Sequence, residues 1–215
     1  MTWFRDHVSD VMALVGQHVY LAGLPLVLGL LIALPLGWLA RRYRVLYPFL
    51  IIGTGLLYTI PSLALFIMLP LLLGTRILNP NNVVVAMTVY TVALLVRIVA
   101  DGLGSVPDVV NQSATAMGYK RVRRFMSVEL PLAVPVISAG LRVAAVSNVS
   151  IVSVAALIGV SQLGSLFTDG FNRGFLDPIV VGVVACVALA LLFDGAILGI
   201  TRLVTPWQRV GKASS

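Results

Sequence analysis

Five long apolar runs separated by short polar segments set the pattern of this chain, at about Val19–Ala40, Tyr47–Leu73, Val83–Gly102, Leu132–Gly159 and Ile179–Leu203. Each reaches the ~20 residues that a helix needs to cross a ~30 Å hydrocarbon layer. Ahead of them, Phe4, Val8, Val11 and Val15 recur at helical spacing among Arg5, Asp6, Asp10 and Gln17, which predicts a short amphipathic helix over residues 3–15, lying at the interface. The first run carries Pro25 and Pro35, so it is expected to kink. The second is too long for one straight crossing, and Pro61 in its outer half, within Tyr58-Thr59-Ile60-Pro61-Ser62, predicts a tilt or a break. Asn79-Pro80-Asn81 marks a turn, and residues 160–178 read as a polar, glycine-bearing loop. The expectation is an all-α integral membrane protein of about five transmembrane helices with an N-terminal interfacial helix. Residues 1–18 form an external segment, 19–203 a single domain and 204–215 a tail.

Composition removes the soluble alternatives. Hydrophobic residues make up 59% of the chain and charged residues 11%, and mean hydropathy is +1.02, too few charges to cover a water-exposed surface. No ten-residue alternation of barrel type is present, which leaves helices as the spanning element. The net charge of +7 then reports loops near anionic lipid, with no call for nucleic acid. Met1–Asp10 mixes Arg5 with Asp6 and Asp10 and does not read as a cleavable signal. Cys186 is the only cysteine and lies in an apolar run, where it reads as a small buried hydrophobe. Charge also orients the spans. Ten cations (Arg41, Arg42, Arg44, Lys120, Arg121, Arg123, Arg124, Arg202, Arg209, Lys212) fall on one side, against three (Arg5, Arg76, Arg173) on the other. The cation-rich side is expected in the cytoplasm, with the N-terminus outside.

The longest polar stretch, Gln112–Pro131, has internal order. Small residues Ser113, Ala114 and Ala116 lead to Gly118, a candidate helix stop. Four cations follow within five positions, and Leu130-Pro131 opens the next apolar run. Gln112-Ser113-Ala114, three residues, Gly118, nine residues, Val128, then Leu130-Pro131 resembles the cytoplasmic loop of permease subunits of ATP-driven (ABC) importers. That loop reads Glu-Ala-Ala, three residues, Gly, nine residues, Ile, one residue, Leu-Pro. Gln112 and Ser113 depart from it. The resemblance implies a type I importer permease whose residues near Ala114–Gly118 form a coupling helix docked on a separate ATPase. The coupling-loop residues it points to are Gln112, Ser113, Ala114, Met117, Gly118, Tyr119, Arg123, Leu130 and Pro131. No Walker pattern is present in the chain, so ATP and Mg belong to that partner, and this chain is expected to hold no cofactor of its own and to be no enzyme.

Over nearly its whole length the chain is further similar to the osmoprotectant branch of these permeases. Leu57–Leu65, Val128–Ala133 with Pro135-Val136-Ile137, and Ala156–Gly159 with Leu163-Gly164 carry that likeness. The branch's Gly-Gly-Leu-Gly stands here as Ser161-Gln162-Leu163-Gly164. The resemblance implies import of glycine betaine, carnitine, choline or proline betaine across a bacterial plasma membrane. It also implies two permeases, identical or paralogous, two ATPases, and an extracytoplasmic binding protein that supplies most of the affinity.

Candidate chemistry within the spans is sparse. Tyr58, Pro61, Ser62, Arg142, Ser147, Asn148 and Ser150 are the candidate pathway or gate residues, with Ser153 and Tyr90 beside them. Polar groups there either line a path or hydrogen-bond between helices. Arg97 and Asp101 are four apart and suit a pair on one helix face. His7 and His18 read as solvated or interfacial and hold no metal. The alternative function is a secondary transporter or channel without an ATPase, in which Arg142 and Asp194 carry ion coupling. A membrane-embedded enzyme lacks converging acid, base and metal groups.

Overall fold

The computed structural model describes residues 2–43 and 45–207. Arg44, Arg209 and Lys212, and the tail from residue 208 on, lie outside the described residues. Among the described residues, four helices are long and apolar enough to span a membrane, and a bent pair of helices makes up a fifth span.

The first long helix differs from the expectation. A short α1 (Thr2–Asp6) precedes α2, which runs unbroken from Val8 to Arg42. No separate interfacial helix covers residues 3–15, because nothing between Val8 and Val19 stops a helix. Gly16 merely weakens one, and buried Val11 continues the packed seam. The break falls instead at His7, whose Nδ1 lies 2.9 Å from Trp3 O and whose ring stacks on Trp3 at 4.5 Å. Pro25 and Pro35 both lie within α2 without ending it.

The second span breaks outright. Helices α3 (Leu46–Thr59) and α4 (Ser62–Leu73) meet at 101°. Ile60 is extended (ψ 129°), as the clash of the Pro61 ring with the preceding residue requires, and Pro61 is extended after it (ψ 131°). The Ile60 carbonyl thereby leaves the helix ladder and accepts the Tyr90 hydroxyl. α4 ends at Gly74, and Asn79 caps α5 (Pro80–Gly104) by accepting the Asn81 N–H at 3.0 Å.

α5 is the core of the bundle, with Val83, Met87, Leu95, Val96 and Val99 fully buried. α2 lies against it at close range. A methyl added at Gly29 would stand 2.4 Å from Thr91 Cγ2, and one at Gly37 would stand 2.6 Å from Val99 Cγ1. Small residues let helix backbones approach where hydrocarbon supplies no hydrophobic drive between helices.

Past the polar stretch, α8 (Leu130–Ser153) runs on through a 3₁₀ segment (Val154–Ile158) to Gly159. The expected loop at 160–178 contains a further helix, α9 (Ser165–Arg173), which buries Leu166 and Gly170 and carries an Asp169–Arg173 pair at 2.7 Å. α10 (Leu176–Val204) completes the fold and is mostly exposed, burying only Pro178, Gly182, Leu189 and Ile197.

Candidate functional site

The polar stretch folds as an elbow between α5 and α8. Pro107 precedes α6 (Asp108–Ala116), whose first turn carries Asp108, a charge that suits the positive end of a helix. Gly118 has φ +83°. The Gly118 N–H donates to Thr115 O (3.0 Å) and the Tyr119 N–H to Ala114 O (3.1 Å), the paired bonds of a Schellman helix stop. A non-glycine residue would carry a left-handed backbone there at a cost of ~1–2 kcal/mol.

Within α6 only Ala114 is buried, at 1% exposure, so it packs against its own chain and offers nothing outward. Gln112, Ser113, Met117 and Gly118 are exposed, Met117 at 70%. The outward surface of the expected coupling helix is therefore polar at one flank and capped by a methionine.

After the glycine, α7 (Arg121–Arg124) leads into a π-helical turn, Phe125–Glu129, closed by the Leu130 N–H on Phe125 O. Pro131 gives the physical reason. In a regular α-helix its ring would clash with the carbonyl four residues back, and it has no N–H to give; a widened turn accommodates both. Arg124 binds the elbow together: its Nε donates to Glu129 Oε1 (2.7 Å) and its Nη1 to Thr115 Oγ1 (2.8 Å). Arg123 lies over the Tyr119 ring at 4.9 Å, a cation–π arrangement. Phe125 packs on Trp38 of α2 with centroids 5.7 Å apart. The elbow is thus fastened to α2 and is continuous with α8. Asp108, Asn111, Gln112, Thr115, Ala116 and Arg124 line a cleft of about 360 Å³ on its flank, where Asn111 Oδ1 is buried without a partner. The sequence showed Arg124 only as one of a cluster of cations and gave Thr115 and Glu129 no role, since the pairing of the three follows from the turn in between.

The candidate pathway residues do not gather into one site. Asn148 is buried and committed to helix contacts, its Nδ2 donating to Thr91 Oγ1 (3.0 Å) and Ala22 O (3.3 Å). Arg142 makes a bidentate pair with Asp194 of α10, Nε–Oδ1 2.6 Å and Nη2–Oδ2 2.7 Å. Tyr58 is exposed and meets Tyr90 edge-on, centroids 5.8 Å apart, beside exposed Pro61 and partly buried Ser62. Ser147 is partly buried and Ser150 exposed along α8. Arg97 and Asp101 pair at 3.7 Å on an exposed helix face.

His18 corrects the sequence reading. It is fully buried, with Nε2 donating to Val149 O and Nδ1 3.0 Å from Gln162 Oε1. Gln162 also accepts the Gly164 N–H and donates to Ser153 O at 3.1 Å. One signal was available in the sequence. Gln162 sits where the osmoprotectant pattern has a glycine, and a polar side chain added beside a packed turn needs a buried partner.

A family described as "Binding-protein-dependent transport system inner membrane component" matches residues 26–210. The osmoprotectant import permease protein OsmW of Salmonella typhimurium is 32% identical, over 95% of this chain and 96% of its own length. Two Bacillus subtilis proteins are each 28% identical over 97% of this chain: the choline transport system permease protein OpuBD, covered to 92%, and the glycine betaine/carnitine/choline permease protein OpuCD, covered to 90%. Among solved structures, the inward-facing MetNI methionine ABC transporter superposes with a TM-score of 0.81 at 21% identity, over 93% of this chain and 98% of that one, a likeness of fold. The chain belongs to the binding-protein-dependent transport system inner membrane family, as an ABC importer permease.

Proposed function

We propose that this permease imports quaternary-ammonium osmoprotectants, of the glycine betaine, carnitine or choline kind, and that its elbow is where a separate ATPase drives it. Full-length likeness to relatives that carry osmoprotectant, choline and betaine names supports the substrate class. The elbow itself carries the coupling reading. A short exposed helix, stopped by a glycine that only a left-handed backbone explains, is bonded through Arg124 to the turn that begins a membrane span. A push on Gln112, Ser113 or Met117 reaches α8 through Thr115, Arg124 and Glu129.

In the proposed assembly two permeases, identical or paralogous, sit over two ATPases that hold ATP and Mg, with a binding protein on the outer face. The elbow and C-terminus face the cytoplasm and the N-terminus lies outside, as the distribution of cations indicates. Closure of the ATPases pulls the elbows together and tilts α8. The break at Pro61, with the Tyr58–Tyr90 pair beside it, is the gate position this reading favours, because edge-paired tyrosine faces suit a trimethylammonium group.

The test is uptake of labelled glycine betaine in a strain stripped of its own betaine carriers and given this permease with its ATPase and binding protein. Uptake is expected to vanish when the ATPase is deleted. Uptake that survives without the ATPase overturns the proposal in favour of a secondary carrier.

A further inference from the structure

Helix α8 is bonded to the rest of the bundle unevenly along its length. At the end away from the elbow, His18 of α2 donates to Val149 O (3.0 Å) and Gln162 of the following turn donates to Ser153 O (3.1 Å). Asn148 donates to Thr91 Oγ1 of α5 (3.0 Å) and to Ala22 O of α2 (3.3 Å). His18 and Gln162 are fully buried and meet at 3.0 Å, and Asn148 is 2% exposed. All of these bonds fall between Asn148 and Ser153, within about 8 Å of helix. Beyond them the α-helix gives way to the 3₁₀ segment and to Gly159 (φ +85°), so the rigid element ends where its bonds do.

The part of α8 nearer the elbow is held differently. Among the described residues, no hydrogen bond or ion pair joins Leu130–Ser147 to α2 or α5. Its contacts with α5 are close but apolar: a methyl at Gly140 would stand 2.4 Å from Ile98 Cγ2, and one at Gly102 would stand 3.4 Å from Val136 Cβ. The elbow meets α2 through the Trp38 and Phe125 rings. Apolar contacts are non-directional and can slide. A buried hydrogen bond broken by sliding leaves an unsatisfied group with no water to replace its partner. The polar tie of this part, Arg142–Asp194, runs to α10 and binds that helix to α8.

We propose that α8 pivots. His18, Asn148 and Gln162 form a fulcrum that holds one end of the helix against α2 and α5, while the elbow end swings across α5 and carries α10 with it. The proposal rests on the reading of the elbow as the point where a motor acts, and adds which end of the lever stays still. For a rigid tilt about Val149, Leu132 is 17 positions away and Val146 three, about 26 Å and about 4.5 Å. Leu132 then moves about five- to sixfold farther than Val146.

The test is pulsed electron–electron double resonance on the assembled transporter with its ATPase, in a Cys186→Ala background, with and without trapped nucleotide. One spin label sits at Leu31→Cys on α2 and the other at Leu132→Cys or Val146→Cys on α8, all exposed apolar positions. The expected result is a nucleotide-dependent change in the Leu132 distance several-fold larger than that at Val146. Changes of equal size, which a sliding helix gives, overturn the fulcrum. An unchanged Leu132 distance in a complex that hydrolyses ATP, which a bundle moving as one body gives, overturns it too. In His18→Leu/Gln162→Leu the two changes are expected to become more nearly equal, and an unaltered ratio overturns the part assigned to those residues. A second arm locks the swing: Val136 Cβ and a Cβ at Gly102 are 3.4 Å apart, close to the ~3.5–4.5 Å that a disulfide spans. Oxidised Gly102→Cys/Val136→Cys is expected to lose betaine uptake and to regain it on reduction; full uptake in the oxidised form overturns the swing. Uptake that needs the ATPase, alongside equal distance changes, condemns the fulcrum alone, whereas uptake without the ATPase removes the motor reading on which it rests.

Discussion

Replacing Gly118 tests the elbow at its one backbone-limited point. Its φ of +83° places it in the left-handed region, while a Cβ built there meets nothing within 4 Å. Any cost of substitution is therefore conformational, with no steric part. For alanine that cost is ~1–2 kcal/mol. With RT near 0.59 kcal/mol, about 5- to 30-fold fewer molecules would keep the Schellman stop at a given moment if the alternative is an α6 that runs on. Asparagine tolerates the left-handed region better and should cost less; valine, stiff and β-branched, should cost most. The assay is purified transporter in proteoliposomes, with ATP hydrolysis and betaine uptake measured together. The ratio of uptake to hydrolysis is expected to fall in the order Gly, Asn, Ala, Val, while the amount of assembled complex changes little, because the elbow contributes little to the buried core. A Gly118→Val transporter as tightly coupled as the parent would refute the reasoning, and so would a ranking that follows side-chain size with asparagine below alanine.

Two further perturbations follow from the hydrogen bonds. Arg124→Ala removes both ties between α6 and the π-helical turn and leaves Glu129, only 13% exposed, without its cation. Such charge-assisted bonds contribute ~1.5–3 kcal/mol, less where water reaches them. ATP hydrolysis is expected to persist with uptake down by roughly tenfold, Arg124→Lys falling between, and equal loss of both activities would contradict the role. Gln162→Leu strips buried His18 of one partner and the Gly164 N–H of its acceptor, a loss of ~1–3 kcal/mol per unsatisfied group. The melting temperature in detergent should drop markedly, and His18→Leu/Gln162→Leu together should cost less than the sum of the two; strict additivity would sink that pairing.

What the sequence revealed and what it hid divides along chemical lines. The elbow was legible because each of its constraints marks a residue type at a fixed place: a glycine for a left-handed backbone, a small residue where α6 packs inward at Ala114, a proline where the span begins. The bend of the second span was legible as a choice between tilt and break, since Pro61 removes a hydrogen bond but does not state an angle. The start of α2 was misread because amphipathic spacing over Phe4, Val8, Val11 and Val15 looks the same whether the helix lies on a membrane or continues into it. Only contacts with α10 and the far core decide, and those are not local. The same limit hid His18–Gln162, 144 residues apart, and Arg142–Asp194, 52 apart. Each of these residues looks anomalous alone and ordinary beside its partner. Asn148, a candidate path residue by its polarity, likewise spends its amide on α2 and α5.

These ties give α8 a particular standing. It is joined to α10 through Arg142, to α2 and α5 through Asn148, and to α2 again through Val149 and His18. The elbow is the N-terminal extension of this one helix. Motion imposed on the elbow therefore has a single rigid element to move, and the rest of the bundle is bonded to it at mid-depth.

The most direct measurement places a cysteine at the exposed tip. In a Cys186→Ala background, Met117→Cys in the assembled transporter is expected to cross-link to the ATPase subunit, with a yield that changes when ATP or a trapped transition-state analogue is bound. In intact cells the same cysteine is expected to resist a membrane-impermeant maleimide added from outside. Labelling from outside, or the absence of any adduct in a complex that contains the ATPase, would contradict the claim that this elbow is where the motor takes hold.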